Sequence, residues 1–319
     1  MCSRTVDPVG IGSGGFDGRS NRVRHALIPG ARPSYADSVS AISERYPTRW
    51  PRTPFPAAAV QAALADPDRF DITVVAETGS THQDLLIGPA APDGLIRVRV
   101  AEHQGAGRGR SDRSWVCPPG AGLMFSVRTG LGFVPPGRRG WIGAVLAMAV
   151  AGAVRAVTGL TPELKWPNDI LLGGAKLAGV LAESADPDVV VGCGVNVSLT
   201  ADELPRADAT SLRLTGSAPV DRAALLAAAL TGLADRLEAW RDAGGDIDAA
   251  GLGGAYRTGC ATLGRRVRIE LPGGASVSGT AVDVDADGAL VLEPTGAGKS
   301  AASGPAQRRF AAGDIVHLR

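Results

Sequence analysis

A short run of glycines and arginines is the first segment of this sequence that could bind an anion. Residues 105–110 read Gly-Ala-Gly-Arg-Gly-Arg. Glycine lets the backbone approach a ligand closely and reach positive φ without steric cost, and arginine binds phosphate or carboxylate through paired hydrogen bonds. A solvated basic loop, or an RGG-like segment that binds RNA, would have the same composition. The wider context has to decide between these interpretations.

A second polar segment could place a lysine beside a carboxylate. Residues 165–169 read KWPND, and strand-forming residues follow as far as the glycine pair 173–174. If that turn has two residues, Lys176 lies opposite Leu171 and shares a sheet face with Asp169. A three-residue loop would put Lys176 and Asp169 on opposite faces, and even a shared face is compatible with an ordinary surface ion pair.

Together these groups suit the activation of a carboxylate by ATP. A carboxylate and the α-phosphate of ATP repel each other, so cationic donors must neutralise both during the displacement. Lys176, Arg108 and Arg110 could do this. An uncharged nucleophile must then attack the acyl-adenylate, and Asp169 could orient an incoming amine or accept its proton.

A third polar segment follows a predicted strand. Residues 77–83 read ETGSTHQ and precede two leucines. Ser80 or Thr81 could simply cap the next helix. The functional interpretation is a polar cluster at a helix N-terminus that hydrogen-bonds a neutral polar ligand.

Composition describes a globular chain without a strong electrostatic field. The 319 residues are 45% hydrophobic and 20% charged, which is enough for a full core, and the length suggests about two domains. Because 33 basic residues face 32 acidic ones, the net charge is only +1. Such a balance does not favour nucleic acid or an anionic membrane as the main partner. The arginines of residues 105–110 are therefore expected to act locally.

Cysteine spacing predicts a reducing compartment, and hydropathy predicts no membrane-spanning helix. The four cysteines, at positions 2, 117, 193 and 260, are far apart and form no metal-binding spacing, which predicts unpaired thiols. The longest apolar run, residues 141–154, has 14 residues, whereas crossing a bilayer takes about 20. We expect a buried helix there, no secretory signal, no membrane partner and a cytoplasmic location.

Apolar periodicity predicts an α/β (α+β) fold in three segments. Residues 1–52 show no sustained period and predict a disordered N-terminal extension. Residues 53–255 form the larger predicted domain, and residues 256–319 switch to a period of two, which predicts a small β-barrel. In the larger domain, strands are predicted over 71–76, 94–101, 122–127, 163–166, 168–172, 176–183 and 189–197, and helices over 57–65, 141–157 and 221–242.

Five segments, in this order, resemble the motifs of biotin protein ligases. They read GSTHQ (79–83), EHQGAGRGR…R.W (102–115), KWPND (165–169), KLAGVLAE (176–183) and GCGVN (192–196). The resemblance covers about residues 54–319. It implies a catalytic domain similar to class II aminoacyl-tRNA synthetases, with a mixed or antiparallel sheet and flanking helices, and a C-terminal SH3-like domain.

The resemblance also implies a reaction in two steps and a set of site residues. Biotin and ATP, with Mg²⁺, would give biotinyl-5′-AMP, and the biotinyl group would pass to a lysine of a biotin carboxyl carrier domain of an acyl-CoA carboxylase. The catalytic residues would be Lys176, Arg110 and Asp169, the last serving the acceptor lysine. The biotin site would comprise Ser80, Thr81, His82, Gln104, Arg108, Gly109, Arg110 and Lys176. The ATP site would comprise Arg108, Arg110, Arg113, Trp115 against the adenine, Asn168, Lys176 and Asn196.

Two positions depart from the family pattern. Members commonly have Asn where His82 stands and Gly where Asp112 stands. Asp112 places an anion inside an anion-binding loop, which could weaken ligand affinity or loop ordering. The DNA-binding head of the bifunctional repressor members is not found, so we expect no operator DNA among the partners. The alternatives to a biotin ligase are a lipoate or octanoate ligase and a nucleic-acid-binding protein.

Overall fold

The computed structural model describes residues 24–25, 34–45, 52–92, 94–111, 113–271, 274–294, 307–311 and 313–318. Its helices are α1 Tyr35–Arg45, α2 Ala57–Ala63, α3 Thr81–Ile87, α4 Trp141–Thr158, α5 Arg222–Asp242 and α6 Leu252–Gly259. Its strands are β1 Arg24–His25, β2 Phe70–Thr78, β3 Ile96–Gln104, β4 Gly122–Gly130, β5 Glu163–Lys165, β6 Asp169–Leu172, β7 Ala175–Ala185, β8 Asp188–Asn196, β9 Arg266–Glu270, β10 Ser276–Val284, β11 Leu290–Pro294, β12 Arg308–Phe310 and β13 Asp314–His317.

The larger domain is built on a mixed sheet of eight strands in the order β1-β2-β3-β4-β8-β7-β6-β5. The pairs β1/β2 and β2/β3 are parallel, and every other neighbouring pair is antiparallel. Helix α4 packs on one face against β7 and β8, while α3 contacts β3, β4 and β8. Since α4 approaches Val180 and α3 approaches Gly192, the two helices lie on opposite faces of the sheet. The predicted mixed sheet with flanking helices is confirmed.

Helix α4 is the core helix that the longest apolar run predicts. It is apolar nearly all round, and such a helix must be buried on most of its sides. By length and composition the stretch Pro136–Thr158 could cross a membrane, but 67% of its most apolar window is buried inside the protein. It packs between the sheet and α5. The prediction of a buried helix is confirmed.

Helix α5 begins where its capping residue predicts. Oδ1 of Asp221 accepts a hydrogen bond from the backbone N–H of Ala223 at 2.8 Å, which satisfies one of the free donors of the first turn. Leu226, Leu233 and Trp240 of its apolar stripe are fully buried. The stripe therefore belongs to the hydrophobic core.

Helix α1 corrects the prediction of a disordered extension. Within residues 1–52, the structure describes an 11-residue helix over Tyr35–Arg45. Val39 and Ile42 are buried against Ala76 of β2, with Tyr35 packed beside them. These residues recur at helical spacing, but the stripe is only three residues long and gives a weak signal without the sheet that it covers. The remaining residues of the predicted extension lie largely outside the described part of the chain.

A buried ion pair ties this N-terminal segment to the larger domain. Nη1 of Arg222 lies 2.7 Å from Oε2 of Glu102, and both side chains are buried. Nη2 of Arg222 donates to the carbonyl of Thr53 at 2.7 Å, and the Tyr35 hydroxyl donates to Oε1 of Glu102 at 3.1 Å. Burial, reinforced by the Glu102 carboxylate, raises the pKa of Tyr35, which keeps the phenol neutral.

Arg222→Ala is expected to lower the free energy of unfolding by about 3–5 kcal/mol, because it leaves the Glu102 carboxylate buried without its cation. Urea unfolding followed by circular dichroism measures this loss. The matched control is Arg268→Ala, which removes an exposed pair with Glu270 at 3.0 Å and should cost less than about 1 kcal/mol. Equal losses of unfolding free energy in the two variants would contradict the larger stabilising contribution of the buried pair.

The C-terminal segment forms a second, antiparallel sheet of five strands in the order β12-β11-β10-β9-β13. Four of these strands match the segments with a period of two, and the fifth, β12, was not predicted. It has only three residues, which are too few to show an alternation. The boundary between the two domains near residue 256 stays a prediction, because one hydrophobic core contains residues of both sheets.

Candidate active site

The hairpin of β6 and β7 brings a lysine and a carboxylate together. The turn has two residues, Gly173 and Gly174, with φ of 59° and 80°, and Leu171 pairs with Lys176. Nζ of Lys176 lies 2.6 Å from Oδ1 of Asp169. The two-residue alternative is therefore confirmed. The strands also contain a bulge after this pair, so that Asp169 lies opposite Gly179.

Three glycines leave the sheet bare beneath this pair. Gly179 pairs with Gly194 across β7 and β8, and Gly192 lies two residues away on the same face. A β-carbon on Gly192 would lie 2.5 Å from Oγ of Ser126 and 3.1 Å from Nδ1 of His82. Larger residues would fill this space, so the glycines create the floor of a cavity.

The Trp115 ring lies flat on that glycine floor. A β-carbon on Gly194 would come within 2.6 Å of Nε1 of Trp115, and one on Gly179 would lie 3.3 Å from Cζ3. Nζ of Lys176 lies 6.0 Å from the centroid of a Trp115 ring. Nε1 of Trp115 is buried without a hydrogen-bond partner among the described residues. An unsatisfied buried donor costs about 1–3 kcal/mol, so this ring position is held at a cost to stability.

Polar groups at the start of α3 form the opposite wall. Oε1 of Gln104 accepts hydrogen bonds from the backbone N–H of Thr81 at 2.8 Å and from its hydroxyl at 3.0 Å. The same hydroxyl lies 2.9 Å from Oγ of the buried Ser126. Oγ of Ser80 accepts from the backbone N–H of Gln83, so Ser80 caps α3. Capping and ligand binding are therefore compatible at this end of the helix.

The glycine–arginine loop, residues 105–111, closes the cavity from above. The N–H of Gly109 donates to the carbonyl of Arg113 at 2.6 Å, and the N–H of Trp115 donates to that of Gly107 at 2.8 Å. A β-carbon on Gly107 would overlap the Trp115 carbonyl oxygen. None of the loop glycines has positive φ, and Ser111 takes that role with φ of 53°. Close approach, not positive φ, explains the loop glycines, and Asp112 lies outside the described residues.

The three arginines of this region have different partners. Arg108 pairs with Glu183, its Nη1 lying 2.9 Å from Oε2. Arg113 pairs with Asp314 of the C-terminal sheet. Burial lowers the pKa of Arg110, and the field of Asp169 partly opposes this shift. Arg110 is therefore close enough to the Lys176–Asp169 pair for the charge of Asp169 to act on it.

Two asparagines of the predicted site already bond to the backbone. Nδ2 of Asn168 donates to the carbonyl of Val180 at 2.7 Å. Nδ2 of Asn196 donates to the carbonyl of Thr210 at 3.0 Å. Each side chain retains its amide oxygen as an acceptor. These contacts fix the orientation of both amides at the cavity wall.

Every predicted site residue except Ser80 lines one cavity of about 720 Å³. The predicted site residues that line it are Thr81, His82, Gln104, Arg108, Gly109, Arg110, Arg113, Trp115, Asn168, Asp169, Lys176 and Asn196. A second cavity of about 750 Å³ shares the glycine–arginine loop as a wall and extends towards α4 and the C-terminal sheet. The loop therefore borders both cavities.

Several lining residues were missed by sequence reasoning. Lys165, Arg206 and His317 add positive or titratable groups to the same cavity, and His317 comes from the C-terminal sheet. Burial lowers the pKa of Lys165, and burial with the nearby Lys165 lowers the pKa of His317 to about 4. Lys165 stood in a quoted motif, but nothing local signals Arg206 or His317, because only the tertiary fold brings these segments to the cavity.

Two family models match the chain. The model of the biotin/lipoate A/B protein ligase family matches residues 91–196. The model of the biotin protein ligase C-terminal domain matches residues 262–318. Together they cover strands β3 to β8 of the larger sheet and all five strands of the smaller one.

Curated relatives and solved structures agree with these matches. A biotin–[acetyl-CoA-carboxylase] ligase of Mycobacterium tuberculosis is 41% identical over 254 residues, which cover 78% of this chain and 89% of the relative. A bifunctional ligase/repressor of Bacillus subtilis is 32% identical over 161 residues, 48% of each chain. A biotin protein ligase from Aquifex aeolicus, solved with biotin and ATP, matches 79% of this chain and 99% of its own with a TM-score of 0.63 and 23% identity. At that identity the structural match supports the fold.

Proposed function

This chain belongs to the biotin protein ligases of the biotin/lipoate A/B protein ligase family, and on that premise we propose that it joins biotin to ATP and transfers the biotinyl group to a lysine of acetyl-CoA carboxylase. The observation that carries this proposal is the Lys176–Asp169 pair, 2.6 Å apart on the cavity floor beside Trp115. The M. tuberculosis relative has this carboxylase in its name. We propose the biotin carboxyl carrier domain as the part that is modified.

In the first step, cations would neutralise two anions that repel each other. Lys176 and Arg110 line the same cavity, which supports a role for both between the biotin carboxylate and the α-phosphate, and a half-buried site strengthens their effect. The wall of Thr81 and Gln104 offers acceptors and donors for the neutral ring of biotin. Trp115 offers a flat apolar surface for the adenine. The carboxylate oxygen attacks the α-phosphorus, and pyrophosphate leaves.

In the second step, a lysine amine of the acceptor would attack the acyl carbon of the adenylate, and AMP would leave. The amine must be uncharged when it attacks, so a nearby base has to accept its proton. Asp169 is the carboxylate at this point of the cavity. Its contact with Lys176 holds it in place, and the entering amine would exchange with Lys176 as its partner.

Magnesium would accompany ATP. Among the described residues, no group of three or more His, Cys, Asp or Glu side chains could hold a metal ion. Mg²⁺ commonly keeps several water molecules and binds through one or two carboxylates and the substrate phosphates. The side chains present fit an ion carried by the triphosphate, where it would neutralise phosphate charge.

The proposal is tested by pyrophosphate exchange with the full chain. Exchange that depends on biotin, followed by transfer to a biotin carboxyl carrier domain, is the expected result. Exchange with lipoate or octanoate but not with biotin would overturn it. Binding of operator DNA at physiological salt would contradict the proposed absence of DNA among its partners.

A cytoplasmic location is proposed from the cysteines. Cys117, Cys193 and Cys260 are all free and buried. Burial raises the pKa of Cys117 and of Cys193 to about 12, so both are inert thiols. Cys2 lies outside the described residues. Free thiols at every described cysteine are typical of a reducing compartment.

Gly194→Ala should raise the KM for ATP about tenfold or more and leave biotin binding nearly unchanged. Its β-carbon would overlap the Trp115 ring and push it off the floor that the adenine needs. Steady-state kinetics with each substrate varied in turn measures the effect. Gly132→Ala is the control, because a β-carbon there meets nothing within 4 Å. A similar change in both KM values would contradict the adenine position.

A further inference from the structure

One carboxylate behind the glycine–arginine loop has two cationic or titratable partners. Oε2 of Glu183 lies 2.9 Å from Nη1 of Arg108 and 2.8 Å from Nε2 of His82. Its other oxygen, Oε1, accepts from Nη2 of Arg108 at 3.2 Å. The two terminal nitrogens of Arg108 therefore bind both oxygens of Glu183, and His82 contacts the same carboxylate.

His82 is set deep in the cavity wall. Its side chain is only 4% exposed, and the cavity touches it. A ring nitrogen 2.8 Å from a carboxylate oxygen must carry a proton, since two lone pairs would repel. Neutral His82 is then protonated at Nε2. Both ring nitrogens are buried, and neither makes a hydrogen bond of good geometry among the described residues, so the link to Glu183 is a close contact and not an aligned hydrogen bond.

Glu183 also holds the Arg108 guanidinium in one position. Arg108 has one further partner, Oε1 of Gln83 at 3.1 Å, at the start of α3. Two carboxylate bonds and one amide bond hold the guanidinium against the wall, although its side chain is partly exposed. A flexible arginine held in advance loses less entropy when a ligand arrives.

We propose that Glu183 is a positioning residue that, held by His82, fixes Arg108 in the cavity wall before biotin binds, so that protonation of His82 weakens biotin binding. This inference rests on the proposed function, because it takes biotin as the ligand. A cationic His82 would compete with Arg108 for Oε2 of Glu183 and would repel the guanidinium. The loop would then lose part of its anchor.

The direction of the pH effect follows from the surroundings of His82. The charged groups that face its ring are Glu183 from β7 and Arg108 from the loop, and the Ser126 hydroxyl of β4 lies on the same side of Gly192. Burial lowers the pKa of His82, and the attraction of Glu183 opposes this only in part. His82 is thus neutral at neutral pH, and the anchor is intact there. The anchor weakens as the pH falls below the ordinary histidine value near 6.5.

Calorimetry of biotin binding to the full chain from about pH 8 to about pH 5.5 tests the inference. We expect the wild-type Kd to stay nearly constant down to about pH 6.5 and to rise below it, by up to about tenfold as His82 becomes protonated, the worth of one charge-assisted hydrogen bond. His82→Asn should bind with a nearly constant Kd. Glu183→Gln should bind about tenfold more weakly at the upper pH and show little further change. His103→Asn is the matched control, because His103 lies 3.1 Å from Glu77 outside this cavity, and it should keep the wild-type profile.

A wild-type profile in folded His82→Asn, or wild-type affinity in Glu183→Gln, would overturn the inference. If His82→Asn fails to fold, the partly exposed Glu183 still allows the Glu183→Gln test. Failure of the proposed function looks different, because the wild-type protein itself would then bind no biotin at any pH. If the wild-type protein binds biotin with the same Kd at every pH, the His82 anchor is rejected and the ligase function stands.

Discussion

Lys176→Ala is expected to abolish adenylate formation while the protein stays folded. Nζ of Lys176 lies on the cavity floor, 2.6 Å from Asp169 and 6.0 Å from the centroid of a Trp115 ring, and our proposal brings the carboxylate and the α-phosphate together there. Removing a charge that stabilises a developing transition state costs about 10²–10³-fold in rate, and this lysine serves two anions at once. Biotin-dependent pyrophosphate exchange should therefore fall at least about 10³-fold.

The fold should tolerate this change because both members of the pair are partly exposed, at 22% and 19%. Arg97→Ala is a matched control. It breaks the Arg97–Asp71 pair, which has similar exposures of 20% and 26% but lies outside the cavity. Both variants should unfold within about 1 kcal/mol of the wild type, and only Lys176→Ala should lose exchange. Exchange within tenfold of the wild type would remove Lys176 from its assigned role.

Arg110→Gly is expected to make the enzyme release its adenylate and label lysines of unrelated proteins. The Arg110 side chain is half-buried under the loop, and the charge of Asp169 acts on it. Without this side chain the loop loses the cation that would close over the intermediate, and a free acyl-adenylate reacts with any amine. Biotin labelling of bovine albumin, detected on a blot, should rise at least about tenfold over the wild type.

Loop flexibility alone has to be separated from the loss of charge. Ser111→Gly supplies that control, because Ser111 has φ of 53° and glycine adopts this conformation without strain. This variant adds a glycine to the same loop and keeps Arg110. We expect it to retain selective labelling of the carrier domain. If both variants label albumin equally, flexibility and not Arg110 controls retention of the adenylate.

Local patterns predicted most elements of the larger domain. The apolar run at α4, the capped stripe of α5 and the hairpin at Gly173-Gly174 each carry their signal within a few residues. Helix α1 and strand β12 were not predicted, because each has too short a pattern to stand out without its partner. Their structure depends on the sheets against which they lie.

The sequence by itself determined the chemistry of the site. The glycine–arginine loop, the KWPND segment and Lys176 contain their charges and close spacings in the chain, so their residue types could be assigned without a structure. Tertiary structure alone decided which of these groups meet. The bare floor requires glycines of two strands to be paired, and the anchor of Arg108 requires Glu183 and His82, which are 101 residues apart, to touch. Such contacts depend on strand register and packing across the sheet, and no local pattern encodes them.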